Sequence, residues 1–251
     1  MLELSTYIEF KEGNIPLIFS VPHGGSLDCD SIPQRSNGIL GIDKGTMQLT
    51  IDLVKEIKLK YKEQQLKKKW PFYIISKLRR SRIDLNRQES NAFDQNSFIG
   101  REIYNFYHSK ILKWINVNLQ IFDKCLLIDI HGFEKKDRPS GFRDVEIILG
   151  TNNLKSFFPN PIPKRDWGNN IRAKIIKAFL ELNIPIAPGH PRRREYVLTG
   201  GYITKKYGAS HIPKNQTIQI EFSDNLRLYN NDLRRITLKT LADVLFQEYL
   251  N

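Results

Sequence analysis

The 251 residues are 40% hydrophobic and 26% charged, enough apolar side chain for a packed core and too much for wholesale disorder. Lysine and arginine outnumber aspartate and glutamate by 39 to 27, and this net charge of +12 raises nucleic acid as a partner; no zinc-finger, RNA-recognition or basic-helix signature accompanies the charge, so a solvated surface with a few local anion-binding arginines is preferred. Cys29 and Cys125 make no disulfide framework and fit a reducing cytoplasm, no apolar run approaches the ~18 residues of a membrane span, and the polar start of the chain (Glu3, Glu9, Lys11) does not read as a signal peptide.

The first apolar run, Ile15–Val21, predicts a buried strand that ends at Pro22-His23-Gly24-Gly25. From Asp43 the residues Met47, Ile51, Val54, Ile57 and Tyr61 recur at helical spacing, with Asp43 as the candidate N-cap. Phe72–Ile75 reads as a second strand. Phe98 to Leu119 reads as a helix with Ile103, Phe106, Tyr107, Ile111 and Trp114 on one face. Cys125–Ile130 is the most apolar strand and is expected at the centre, with further strands at Val145–Leu149 and Thr217–Phe222. Two more helices are expected, from Asp166 to about Leu182 and from about Asn231 to Leu250. Strands alternating with helices predict one α/β domain over residues 1–251: a mostly parallel, twisted mixed sheet with helices on both faces. The long connections 24–42, 132–143 and 184–216 are the expected site-building loops.

His23 and His131 each follow a buried strand, and each is followed by glycine. Ligands of open α/β sheets bind beyond the carboxyl ends of the strands, so both imidazoles are expected in one cleft as metal ligands. A catalytic zinc takes three protein ligands and leaves one position open; Asp28, Asp30, Asp43 and Cys29 are the candidates for the third. Asp129, two residues before His131 on the same strand face, either orients an imidazole or caps a neighbouring helix. The stretch Leu78–Arg87 brings Arg79, Arg80, Arg82 and Arg87 together with Asp84 and Asn86. Asn86-Arg87 is the preferred carboxylate-binding pair, with Arg82 as a further candidate and Asp84 holding an arginine in place. Glu221 ends an apolar strand, where burial raises its pKa toward the range of a general base; a salt bridge to an arginine is its structural alternative.

Five segments occur in order: Val21-Pro22-His23-Gly24-Gly25, Asp84-Leu85-Asn86-Arg87, Asp129-Ile130-His131-Gly132, Gly200-Gly201-Tyr202-Ile203-Thr204 with Tyr207-Gly208, and Gln219-Ile220-Glu221. Together they resemble the N-formylglutamate amidohydrolase family, related in fold to zinc carboxypeptidases and to the aspartoacylase/succinylglutamate desuccinylase group. The resemblance implies a hydrolase with one Zn2+ per chain that cuts an N-acyl amide of an acidic amino acid. It implies His23 and His131 as zinc ligands, Glu221 as the catalytic glutamate, Asn86 and Arg87 on the substrate carboxylate, and Arg80 as the arginine preceding that pair; Arg80 or another cation is expected to steady the oxyanion. Gly201 is a further substrate-binding candidate. The wider group carries a glutamate ligand three residues after its first histidine; Ser26 stands there in this chain, and Asp43, at the start of the next helix, is taken as the third ligand. The expected partner is a small anionic N-acyl amino acid. The rival readings are a carboxypeptidase-like zinc peptidase on short peptides and a basic nucleic-acid-binding protein with a relic site.

Overall fold

A computed structural model describes residues 4–65, 69–137, 144–196 and 198–250. The basic cluster at 67–69 and the 132–143 connection therefore lie partly outside the described residues. Seven strands form one sheet: β1 Ile8–Lys11, β2 Leu17–Val21, β3 Phe72–Ser76, β4 Cys125–Phe133, β5 Ile147–Gly150, β6 Ile186–Ala187 and β7 Asn215–Ser223, in the spatial order β1-β3-β2-β4-β7-β5-β6. The pairs β3–β2, β2–β4, β4–β7 and β5–β6 are parallel, whereas β1–β3 and β5–β7 are antiparallel. The mostly parallel mixed sheet is thus present, and β4 is central. The sequence reading lacked β1 and β6. Both are short and lie at the sheet edges, where strands need little apolar pattern.

Helices cover both faces. On one face, α1 (Thr46–Glu63), α4 (Ile171–Glu181) and α6 (Asn231–Leu245) pack over Leu17, Phe19, Leu126, Ile128, Ile218 and Ile220. On the other, α3 (Phe98–Phe122) packs Tyr107, Ile111 and Trp114 against Ile18, Ile74 and Leu127. Two short helices, α2 (Glu89–Ala92) and α5 (Tyr202–Lys206), belong to the second face. The caps explain three of the starts: the Ser97 side chain accepts from Gly100 N, that of Asn170 from Ala173 N, and that of Asn230 from Leu233 N. Asp43 does not cap α1. That helix starts at Thr46 after Gly45, a left-handed residue with φ 82°, and the Asp43 side chain is turned elsewhere. No helix among the described residues is long and apolar enough to cross a membrane.

Chain direction locates the site. From β2 the chain crosses through α1 to β3 on one side, then returns through α3 to β4 on the other side of β2. The direction of winding therefore reverses between β2 and β4. Their carboxyl ends diverge there into a crevice, the position at which open α/β sheets bind ligands.

Candidate functional site

His23 leaves the end of β2, and His131 sits in the last turn of the pleat of β4, which runs on to Phe133 beyond the end expected from sequence. Both rings are buried, at 1% and 3% exposure. The chain after His23 loops out and returns so that Asp43 N donates to the His23 carbonyl at 3.0 Å, which brings the Asp43 carboxylate over the two rings. Three atoms converge: His23 Nδ1 and His131 Nδ1 are 3.2 Å apart, and Asp43 Oδ2 lies 3.2 Å from His131 Nδ1 and 3.6 Å from His23 Nδ1. The same oxygen accepts from Gly132 N at 3.1 Å.

The far side of each ring is held by a carboxylate. Asp84 Oδ1 lies 2.6 Å from His23 Nε2, and Asp129 Oδ2 lies 2.8 Å from His131 Nε2. Each carboxylate assigns the ring proton to Nε2 and leaves Nδ1 with a lone pair. Asp129 is itself fixed by Ser20, whose hydroxyl donates to Oδ1 at 2.9 Å. With both rings neutral, two imine nitrogens and a carboxylate oxygen face one another, the donor set a cation site requires. Ligand bonds of zinc length in a tetrahedron place donor atoms about 3.3 Å apart, as found here. His23, Asp43 and His131 are also the group among the described residues with the geometry to hold a metal. The local charges agree. Burial opposes ionisation of Asp43, but its bonds to His131 and His23 outweigh that and hold its carboxyl well below the usual range. Burial likewise opposes a charge on His131, and Asp129, with Asp43 and Glu221, raises its pKa well above the ordinary value. A positive charge between these groups is favoured, whether carried by a proton or by a metal.

Glu221 is the register partner of His131 across the β4–β7 pair, on the same face. Burial raises its pKa, partly offset by His131. Gln219 orients it: Gln219 Oε1 accepts from Gly201 N at 2.6 Å, so its Nε2 is the end that donates to Glu221 Oε1, at 2.7 Å. Among the described residues, no arginine is paired with Glu221. A cleft of about 790 Å³ opens over this row and is lined by Asp43, His131 and Glu221 together with Arg80, Asn86, Arg87 and Gly201.

The arginine stretch is organised by Asp84. This fully buried carboxylate takes His23 on one oxygen; the other accepts from Arg80 Nε at 3.0 Å and from Arg87 Nε at 2.9 Å, with Arg35 Nη1 at 3.6 Å. Burial opposes its charge, but His23 and Arg80 prevail and keep Asp84 ionised far below the usual range. Both arginines line the cleft, where Arg80 Nη1 lies 3.9 Å from Asp43 Oδ1. Asn86 Oδ1 accepts from Ile203 N at 2.7 Å, and its Nδ2 lies 3.1 Å from His131 Nε2. Gly201 packs so closely on that amide that an added Cβ would lie 2.3 Å from Asn86 Nδ2. Its N–H is taken by Gln219, so Gly201 shapes the wall of the cleft and holds Gln219.

Arg82 does not join this group. It donates through Nε to Asp28 at 2.5 Å, through Nη2 to Asp30 at 3.1 Å and through Nη1 to the Ile32 carbonyl at 2.8 Å, stapling the 28–32 loop away from the cleft. The same contacts remove Asp28 and Asp30 from the metal candidates, and Cys29 is buried in the α3 core. Sequence reasoning missed Arg35, which sits in a loop without pattern, and the role of Gln219. It also missed Arg227, whose guanidinium packs on Gly132 and bonds the carbonyls of Phe222, Phe133 and Lys44, tying β4 and β7 to the residue after Asp43.

An α/β sheet with its polar site at the reversal between β2 and β4 is the class this architecture defines. Within that class, the fold is shared with the N-formylglutamate amidohydrolase from Ralstonia eutropha JMP134, at a TM-score of 0.66 and 12% identity, covering 96% of each chain. A gene product of Agrobacterium tumefaciens has the same fold at a TM-score of 0.61 and 12% identity, covering 96% of this chain and 94% of that one. No family model and no curated protein matches the sequence.

Proposed function

We propose that the chain is a zinc-dependent amidohydrolase that cleaves the N-acyl amide of an acidic amino acid, N-formylglutamate being the simplest such substrate. The observation that carries this reading is the convergence of His23 Nδ1, His131 Nδ1 and Asp43 Oδ2 beside a buried glutamate, in a cleft that also presents two arginines. The fold shared with an amidohydrolase supports it.

Zinc held by His23, His131 and Asp43 would supply a Lewis acid that polarises the amide carbonyl and makes water acidic enough to attack near neutral pH. Glu221 takes the proton of the attacking water and delivers it to the leaving nitrogen; its burial keeps its basicity high enough for the first transfer. Arg80 steadies the negative charge that develops on the carbonyl oxygen, and Arg87, with the Asn86 amide, holds the substrate carboxylate. Asp84 keeps His23 and both arginines in one geometry. The proposal includes a single domain working in a reducing compartment, in line with two cysteines that are both buried and free.

The test is elemental analysis of purified protein followed by assay against N-acyl glutamates and aspartates. About one zinc per chain, lost in His23→Ala and His131→Ala proteins that remain folded, is the expected result. Full metal content in those variants, or no hydrolysis of any N-acyl amino acid by the zinc-loaded protein, overturns the reading.

A further inference from the structure

We infer that the acyl group of the substrate is an extended apolar chain rather than a formyl group, an assignment that deepens the proposed function and rests on it. The cleft is divided by sheet order. Arg80 and Arg87, on the loop after β3, stand at one side; His131 on β4 and Glu221 on β7 follow; β5 closes the other side. There Ile148 is the register partner of Glu221, so its side chain lies on the same face of the sheet. Its neighbours Ile147 and Leu149 point into the core of α1, α4 and α6, while Ile148 lines the cleft. Leu198 and Phe133, both half-buried, line it as well. The segment of Leu198 is fixed to the β5 side, because Asn152 N donates to the Thr199 carbonyl and Gly150 is in backbone contact with Gly200.

The cleft therefore carries Arg80 and Arg87 on one side of the reacting groups and Ile148 and Leu198 on the other, with Glu134 and Lys205 as its further charged residues. Its volume, about 790 Å³, falls in the range of about 300–1,000 Å³ that encloses drug-sized ligands, and a formylated amino acid fills only a small part of it. A carboxylate at the arginines leaves the opposite substituent of the amide over Ile148 and Leu198. Apolar surface set there rewards an apolar chain and gives nothing to a single hydrogen.

The experiment compares kcat/KM of the zinc-loaded protein on N-formyl-, N-acetyl- and N-hexanoyl-L-glutamate and on a leucyl-glutamate dipeptide. The hexanoyl compound is expected to exceed the formyl compound by about tenfold or more. Leu198→Ala and Phe133→Ala should each lower the hexanoyl-to-acetyl ratio. A flat or inverted series, or a preference for the dipeptide with its charged ammonium, overturns the inference while the proposed amidohydrolase stands. Where none of the compounds is cut, the proposed function fails, and titration calorimetry decides the inference separately. Tighter binding of hexanoyl- than of formyl-glutamate supports it, and equal or weaker binding overturns it.

Discussion

Glu221 and Asp43 are both buried carboxylates beside His131, yet their surroundings give them opposite character. Asp43 faces two imidazoles and a backbone N–H, and these hold it ionised. Glu221 has one amide donor against its burial, which prevails and raises its pKa, so it binds a proton more readily. This separation is why Asp43 suits a ligand and Glu221 a proton carrier. Glu221→Gln keeps the shape and removes the proton site; kcat should fall by roughly 10²–10⁴ with zinc content and fold intact. A near wild-type rate in that variant would assign the proton to another group. Arg87 and Arg82 make a second contrast. Both stood in one basic stretch of sequence, and spacing alone could not separate them. Arg87 lines the cleft and is tied to Asp84 through Nε, whereas all three nitrogens of Arg82 are engaged by the 28–32 loop. Arg87→Ala should raise KM for an N-acyl glutamate by about tenfold or more, the loss of a charge-assisted pair, with a smaller effect on kcat. Arg82→Ala should leave KM close to that of the wild type and lower the thermal midpoint. The reverse pattern of KM effects would return Arg82 to the substrate.

Between residues and the molecule lies the question of how strand ends are held open as a site. After β2 the chain does not diverge from β3 at once. Leu27 N donates to the Lys77 carbonyl, Arg79 N donates to the Leu27 carbonyl, and a parallel bridge joins Leu27 and Leu78. This tight extension is possible because Gly25 has no side chain: a Cβ there would lie 2.0 Å from Lys77 C and 2.2 Å from its carbonyl oxygen. Those are backbone atoms that cannot swing aside. Gly25→Ala should cost about 1–3 kcal/mol, read as a lower urea midpoint, and should weaken metal retention because His23 lies two residues away. An unchanged midpoint would show that the two segments separate freely. The elements themselves were legible where burial on both faces makes a continuous apolar run, as in β2, β4 and β7, or where a 3.6-residue stripe faces a core, as in α3 and α6. Loop geometry was not legible. The choice of Asp43 over Asp28 and Asp30 depends on a backbone bond from Asp43 to His23 across twenty residues, and no local pattern records it. Asp84 was visible as an anchor for one arginine, but its grip on His23 required the fold to bring β2 and the loop after β3 together.

At the scale of the molecule, the site leans on a polar and aromatic cluster that sets its response to acid. His108 on α3 is 5% exposed and lies against Tyr104, Tyr202 and Tyr207. Its Nδ1–H donates to the Tyr207 hydroxyl at 2.9 Å, which in turn donates to the His108 carbonyl at 3.1 Å. Burial, and then the nearby Lys206, push its pKa down to about 3. An unfolded histidine titrates near 6.5. Between these values the unfolded chain binds a proton that the folded chain refuses, so stability rises with pH across this window and is lost as pH falls below about 6.5. At pH 5 this single group should cost about 2 kcal/mol relative to pH 7. The carboxylates held ionised at Asp43 and Asp84 add acid lability only as pH falls through the ordinary carboxyl range, about 4, while His131, with its raised pKa, adds stability as pH falls through about 6.5, so His108 must be read by difference. His108→Gln retains an amide donor for Tyr207 and removes the titration. Its unfolding free energy should therefore fall less steeply between pH 7 and pH 5 than that of the wild type, by about that amount, in parallel urea titrations. Curves of equal steepness would remove His108 from the acid response. The consequence reaches the cleft because Tyr207 follows α5, and α5 presents the Ile203 N–H that fixes Asn86 beside His131. Protonation beneath α5 should loosen the wall carrying Gly201 before the sheet itself opens, and activity should decline at a higher pH than global unfolding does.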